Sequence, residues 1–171
     1  YHFDEKKVAQ FDHSIGSLFM PLAEMERRFN NCTQEEKSIL NTVRQCYLCG
    51  VYQENQYVPL IWIKKVIEHK KIIFSDIQWN QYLENLCDKE FFSIENQRIK
   101  FEEVYYEKIV KSPINNSLED DFNCLLPVFL TLAEPLIRMA GKAQNLSLTH
   151  ERKPEFTKIA IYSYEGALKL V

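Results

Sequence analysis

Glycine is scarce in this chain, with four residues among 171, and no two of them lie close together. Phosphate-binding loops need clustered glycines, because their backbone amides must approach the anion closely. The wide spacing of Gly16, Gly50, Gly141 and Gly166 excludes a Walker A loop or a dinucleotide-binding fingerprint in these residues. Few glycines also argue against a β-sandwich or barrel, whose tight turns depend on them. The composition favours helices.

Other familiar signals are absent as well. The sequence contains neither the Gly-x-Ser-x-Gly elbow of serine hydrolases nor the His-Glu-x-x-His helix of zinc proteases. No apolar run is long enough to cross a bilayer, and the first residues do not form a charged-then-apolar signal segment. No residue stands out as catalytic, cofactor-binding or metal-binding. We therefore expect a protein that is not an enzyme, requires no cofactor and does not enter a membrane.

A basic excess is also missing, since the formal net charge is −3. Dedicated nucleic-acid binders usually carry an excess of Lys and Arg, because these side chains displace the counterions of the phosphates. The overall charge therefore argues against a general nucleic-acid binder and leaves only a local basic patch open.

The five cysteines do not suggest a disulfide framework, because their number is odd and their spacing irregular. Cys46-Tyr47-Leu48-Cys49 is the one Cys-x-x-Cys, and a structural zinc site would need a second ligand pair that the sequence lacks. We interpret Cys46 and Cys49 as small buried residues. Free cysteines predict an intracellular protein, cytoplasmic or nuclear. Three Asn-x-Ser/Thr sequons keep secretion open, at Asn31, Asn115 and Asn145.

The first 32 residues form an N-terminal helical segment in which apolar residues recur every three or four positions. These residues are Val8, Phe11, Ile15, Leu18, Leu22, Met25 and Phe29. The spacing is that of a heptad repeat and allows a homodimer through a coiled coil. Pro21 and Gly16 interrupt it, which favours two shorter helices, near residues 4–19 and 21–30, packed on the rest of the chain.

Residues 33–112 carry the clearest local signals, two capping boxes. Thr33 and Glu36 predict the start of a helix that ends near Gly50, with an inner face of Ile39, Leu40, Val43, Cys46 and Tyr47. A short extended piece follows at residues 56–58, and Pro59 can start a second helix to about Lys70, with Leu60, Ile63, Val66 and Ile67 facing inward. Ser75 and Gln78 start a third helix to about Lys89, with Ile77, Tyr82, Leu83 and Leu86 facing inward.

Two short strands, at residues 91–95 and 98–101, follow the third helix, with Asn96-Gln97 as the turn between them. The order helix, strand, helix, helix, hairpin over residues 33–102 resembles the winged helix-turn-helix superfamily. The resemblance covers under half of the chain and rests on element order, without a family-specific motif. It implies an architecture and not an activity.

Residues 113–171 are predicted to form a C-terminal helical segment, after a helix over residues 103–112 and a linker from Ser112 to Asn116. Ser117 caps a helix whose first turn is acidic, and the apolar stretch from Phe122 to Ala140 predicts a buried helix kinked at its prolines. A last helix starts at Pro154, with an inner face of Phe156, Ile159, Ala160, Ser163, Ala167 and Leu170. The expected fold is mainly α with a small β-hairpin, a winged-helix core flanked by N- and C-terminal helices.

The third helix carries the candidate functional surface. In DNA-binding winged helices that helix enters the major groove. Its outward residues here are Asp76, Asn80, Gln81, Glu84, Asn85 and Asp88. Three of them are carboxylates, which phosphates would repel. The basic residues that could contact a nucleic-acid backbone lie elsewhere, at Lys64, Lys65, Lys70, Lys71, Arg98 and Lys100.

These observations favour a non-catalytic protein-interaction or regulatory module, with a protein partner at the third helix. One alternative is a DNA-binding transcriptional or replication regulator, dimeric through its N-terminal heptads, in which Asn80, Gln81 and Asn85 read adenine. Another is an accessory domain of a larger ATPase whose nucleotide site lies outside these residues.

Overall fold

A computed structural model describes residues 21–110, 118–149 and 153–171. The predicted helix at residues 4–19, the predicted linker and the Ser117 cap lie outside the described residues. The first described helix, α1 (Leu22–Asn30), follows Pro21, as the interruption of the heptads predicts. Met25 is buried on α1, while Phe29 is 40 % exposed.

Both predicted capping boxes are confirmed. Helix α2 (Gln34–Leu48) begins after Thr33, whose hydroxyl accepts a hydrogen bond from the Glu36 amide at 3.1 Å, while the Glu36 carboxylate accepts one from the Thr33 amide at 2.8 Å. Helices α3 (Leu60–His69) and α4 (Asp76–Asp88) follow. At the start of α4, the Ser75 and Gln78 side chains make the same reciprocal pair at 3.2 and 3.0 Å. These bonds satisfy amides at each helix N-terminus that have no partner within the helix.

The predicted hairpin is confirmed and gains a third strand. A 3₁₀ turn (Glu54–Gln56) leads to the two-residue strand β1 (Val58–Pro59), and β2 (Phe92–Glu95) and β3 (Arg98–Phe101) form the hairpin. The sheet is antiparallel in the order β1-β3-β2, with Ile99 opposite both Val58 and Ile94. Asn96 and Gln97 both have positive φ, at 52° and 60°, as a two-residue turn that matches the strand twist requires.

The chain after the hairpin is helical, with one correction to the prediction. Helix α5 (Glu103–Tyr105) passes into a π-helical turn (Tyr106–Val110), and α6 (Leu118–Leu125), α7 (Ala133–Thr149) and α8 (Lys153–Leu168) follow. The prediction of one kinked helix from Phe122 to Ala140 is wrong, because turns separate α6 from α7. Pro127 lies in those turns, and Pro135 lies in the first turn of α7, where its missing N–H breaks no helical bond.

One hydrophobic cluster joins residues from α1 to α8. At its centre Tyr47 on α2 packs against the rings of Tyr52, Phe101 and Tyr106, with centroids 5.2–5.7 Å apart. The Tyr47 hydroxyl donates to the Gln56 carbonyl at 2.7 Å and accepts from the Phe101 amide at 3.1 Å. This buried side chain therefore fixes β3 and the 3₁₀ turn onto α2. The inner residues predicted for α8 are buried, except that Leu170 is 41 % exposed beyond the end of the helix.

The helix order and sheet pairing place α4 and the hairpin side by side on one part of the molecule. The architecture is mainly α with a small antiparallel sheet, as the sequence predicts. Along the chain, α1 precedes the elements from α2 to β3, and α5 to α8 follow them. Among the residues that the structure describes, no helix is both long enough and apolar enough to span a bilayer.

Candidate interaction surface

Helix α4 directs a polar face outward and an aromatic and aliphatic face inward. The inner residues are Trp79, Leu83 and Leu86, spaced four and three apart as one face of a helix requires. The prediction that Ile77 faces inward is wrong, since its side chain is 83 % exposed. The helical period groups Ile77 with the exposed residues rather than with the inner face. The exposed stripe consists of Ile77, Asn80, Gln81, Glu84 and Asp88.

The outward side of α4 is acidic. Asp76, Glu84 and Asp88 are all exposed, and α4 contains no Lys or Arg between its ends. A cation from α3 lies at the start of this face, where Nζ of Lys64 is 3.4 Å from Oδ1 of Asp76. An exposed pair of this kind contributes little to stability, and its main effect is to neutralise the charge of Asp76 at the start of α4.

The amides predicted to read adenine differ in their surroundings. Asn80 is exposed, whereas Asn85 is half-buried and its Oδ1 accepts a hydrogen bond from Nε2 of Gln81 at 3.0 Å. This pairing satisfies one group of each amide within α4. An adenine that binds Gln81 or Asn85 through both amide groups would therefore have to break the hydrogen bond between these two side chains. Asn80 has no part in that bond.

A shallow depression of about 410 Å³ lies where α3, α4 and the hairpin turn meet. We call it the α3–α4 depression, and its lining consists of Leu60, Ile61, Lys64, Asp76, Trp79, Asn80 and Gln97. Ile61 is 62 % exposed at its edge, while Trp79 is buried. The structure thus joins Lys64, Asp76 and Asn80, all predicted site residues, in a depression whose lining mixes polar and apolar side chains. Sequence reasoning missed Ile61, because an isoleucine on a helix is more often a core residue.

Lys70, predicted as a contact to a nucleic-acid backbone, is directed into the protein. Its Nζ donates to Oε1 of Gln45 at 2.7 Å and to Oγ1 of Thr42 at 3.1 Å. Gln45 in turn donates to Oδ1 of the buried Asp121 at 3.1 Å. Burial lowers the pKa of Lys70. These contacts connect the end of α3 with α2 and α6, so the ammonium group is engaged in packing the fold.

The remaining basic candidates lie on two separate elements. Arg98 and Lys100 on β3 lie over the Tyr57 ring, at 4.5 and 5.5 Å from its centroid, a cation–π arrangement. The Tyr57 hydroxyl donates to Oε2 of Glu95 at 3.0 Å. On α3 Lys65 is half-buried, and Lys71 is exposed just after that helix.

The Cys-x-x-Cys pair is part of the core, as predicted. Cys46 and Cys49 are fully buried free thiols. Burial raises the pKa of Cys46 to about 12 and that of Cys49 well above its ordinary value. A thiol that stays protonated at neutral pH is a poor nucleophile and a poor metal ligand. Among the described ranges, no three His, Cys, Asp or Glu side chains come together in a way that could hold a metal ion.

A larger groove of about 550 Å³ lies between α1 and α2, apart from the α3–α4 depression. Its apolar lining includes Met25, Phe29, Leu40, Phe91 and Tyr105. These residues come from α1, α2, α5 and the start of the hairpin, so no local sequence pattern could reveal the groove. It adjoins α1, at the point where the described residues begin.

Comparison of the chain with protein-family models, with curated proteins and with solved structures gave no significant match. The geometry and the charges of these surfaces are therefore the features that indicate a function.

Proposed function

We propose that residues 33–102 form a winged helix that acts as a protein-interaction module without catalytic activity. The element order helix, strand, helix, helix, hairpin supports the fold assignment. The pairing of β1 with β3, the second strand of the hairpin, supports it as well. The contact surface is the outward face of α4 together with the α3–α4 depression.

The observation that carries this proposal is the exposure of Ile77 within the acidic face of α4. Single exposed apolar side chains are common on proteins. Here, however, Ile77 follows Asp76 of the depression, and the depression has a second exposed isoleucine, Ile61, at its edge. Burying one such side chain against a partner contributes about 1.5–3 kcal/mol. Two isoleucines beside a preformed depression therefore provide anchors for an apolar contact.

The charges define the chemistry of the partner. A partner that approaches α4 meets Asp76, Glu84 and Asp88, which favour Lys and Arg over phosphate. Lys70 already donates to Gln45 and Thr42, which leaves at most one N–H of its ammonium group for a phosphate. The expected partner is therefore a protein segment with aliphatic side chains flanked by basic residues.

A phage-displayed library of random peptides tests the proposal. We expect selected peptides to combine Leu, Ile or Phe with Lys or Arg. Binding of these peptides should weaken at least tenfold for Ile77→Asp and for Ile61→Asp, because each loses an apolar anchor worth more than about 1.4 kcal/mol. Leu170→Asp changes a leucine that is 41 % exposed beyond the end of α8, outside the contact surface, and it should leave peptide binding unchanged. Selected peptides that bind Ile77→Asp as tightly as the wild type would refute the proposal, and so would a library that yields no binder.

A titration of labelled duplex DNA at low and at moderate salt tests the alternative. The acidic face of α4 predicts no measurable binding at either salt concentration. Sub-micromolar binding that weakens as salt increases would replace the protein-interaction proposal with DNA recognition.

A further inference from the structure

The outer side of the helical hairpin formed by α7 and α8 carries two rows of exposed apolar side chains. On α7, Ile137 is 49 % and Leu148 is 72 % exposed. On α8, Ile161 is 53 %, Tyr164 is 39 % and Leu168 is 72 % exposed. Within each row the residues are spaced by combinations of three and four, so each row follows one face of its helix.

The two rows lie on the same side of the hairpin. The Tyr164 hydroxyl donates to Oε1 of Gln144 at 3.0 Å. Gln144 stands seven residues after Ile137 and four before Leu148, and is therefore part of the α7 row. Tyr164 stands between Ile161 and Leu168 in the α8 row. This hydrogen bond joins the rows into one surface, which we call the hairpin face.

Within the described ranges, α7 and α8 pack on each other and on the core through sides other than the hairpin face. A Cβ atom at Gly166 on α8 would lie 3.4 Å from Cδ1 of the fully buried Leu136 on α7, so the helices pack through their other sides. At Gly141, in the α7 row, an added Cβ would meet nothing within 4 Å. The space beside Gly141 is therefore open, and no side chain projects from the α7 row at this position.

The charges beside the α8 row are self-complementary. Lys158 and Glu165 are both exposed and lie seven residues apart, on the same side of α8 as Ile161. The midpoint between them falls at Ile161 and Tyr162. When two copies of α8 lie antiparallel about a two-fold axis through that midpoint, each Lys158 faces Glu165 of the other copy. In an isologous contact the same surface meets itself, so each charge must face an opposite charge of that surface. A contact with a different protein does not require this self-complementarity.

We propose that the hairpin face is a homodimer interface, occupied by a second copy of this chain with the two α8 helices antiparallel. The apolar rows supply the buried area, and two symmetry-related pairs of Lys158 with Glu165 set the direction of packing. This surface is separate from α4, so the proposal stands independently of the proposed function.

Charge-reversal variants of the full chain provide the decisive experiment, with mass measured by sedimentation over a concentration series. Lys158→Glu alone and Glu165→Lys alone place like charges in both pairs, and each should raise the dimer Kd about tenfold. Mixing the two variants restores opposite charges in both pairs and should recover a heterodimer of wild-type affinity. The double variant should also dimerise like the wild type.

Apolar variants test the same interface and control for folding. Ile161→Lys should abolish the dimer mass while the circular dichroism spectrum stays unchanged, since the side chain is exposed in the monomer. Ile77→Asp on α4 should leave the dimer intact. A wild-type chain that remains monomeric up to about 1 mM overturns the proposal and leaves the hairpin face to another protein. A dimer that survives Ile161→Lys and both charge reversals overturns it as well, and points to the N-terminal heptads.

Discussion

The two capping boxes form a matched pair, and only the one at Glu36 includes a contact with Lys89. The difference between the stabilities lost on mutating each box therefore measures that contact. Glu36 and Gln78 occupy the same position at the starts of α2 and α4, and each side chain accepts a hydrogen bond from the backbone of its N-cap residue. Gln78 is exposed, whereas Glu36 is only 1 % exposed. Glu36 also accepts two hydrogen bonds from Nζ of Lys89, at 3.0 and 3.2 Å. Lys89 follows the last residue of α4, so this contact ties the end of α4 to the start of α2.

The expected costs follow from these contacts. Gln78→Ala removes one cap hydrogen bond and should lower the free energy of unfolding by about 1 kcal/mol. Glu36→Ala removes the same bond and, in addition, the charge-assisted contact with Lys89, which contributes roughly 1.5–3 kcal/mol. The total for Glu36→Ala is then about 3 kcal/mol. Glu36→Gln keeps an acceptor for the Thr33 amide but loses the charge, and it should fall between the two.

Urea unfolding followed by circular dichroism measures these differences, and a double-mutant cycle with Lys89→Ala isolates the contact between α2 and α4. The pH dependence gives a second readout. Burial acts to raise the pKa of Glu36, but the hydrogen bonds from Thr33 and Lys89 outweigh it, and the net shift is downward. The stabilisation is therefore present above the ordinary pKa of 4.5 and is lost as the pH falls through the lower folded-state value.

Equal costs for Glu36→Ala and Gln78→Ala would refute this reasoning, because they would mean that the buried contact with Lys89 adds nothing to the cap. A coupling energy below about 0.5 kcal/mol in the cycle would lead to the same conclusion. In that case α4 would be held by its hydrophobic face alone.

Three further perturbations test the packing around α2. Gly50→Ala should cost about 2–4 kcal/mol, measured as a lower thermal midpoint, because Gly50 has φ +77° and a Cβ there would lie 2.6 Å from Cβ of Lys142. Tyr47→Phe should cost about 1–3 kcal/mol and speed hydrogen exchange at the Phe101 amide, which loses its acceptor; unchanged exchange would contradict the bond. Burial raises the pKa of Cys46 to about 12 from 9.0, so above pH 9 the unfolded chain loses this thiol proton first and stability should fall by up to about 1.4 kcal/mol per pH unit. Urea unfolding at several pH values should show a shallower decline for Cys46→Ala, and an unchanged slope would contradict the assignment.

The sequence alone determined the elements whose cause is local. A capping box is made by four consecutive residues, so Thr33 with Glu36 and Ser75 with Gln78 locate two helix starts without any knowledge of the tertiary fold. The two-residue turn at Asn96-Gln97 and the burial of Cys46 and Cys49 follow from short-range spacing in the same way. Mainly helical structure with one hairpin, and the order of those elements, could therefore be predicted.

Only the tertiary structure decided where individual side chains point and which surfaces remain uncovered. Lys70 belongs by sequence to a basic cluster, but Gln45 and Thr42, distant in sequence, draw its ammonium group inward. Ile77 is apolar and its position in the sequence predicts a core residue, yet the rotation of α4 that buries Trp79 leaves Ile77 outside. Hydrogen-bond partners and helix rotation depend on residues far apart in the chain, which no local pattern contains. For the same physical reason the α3–α4 depression and the hairpin face emerge only once the helices are packed.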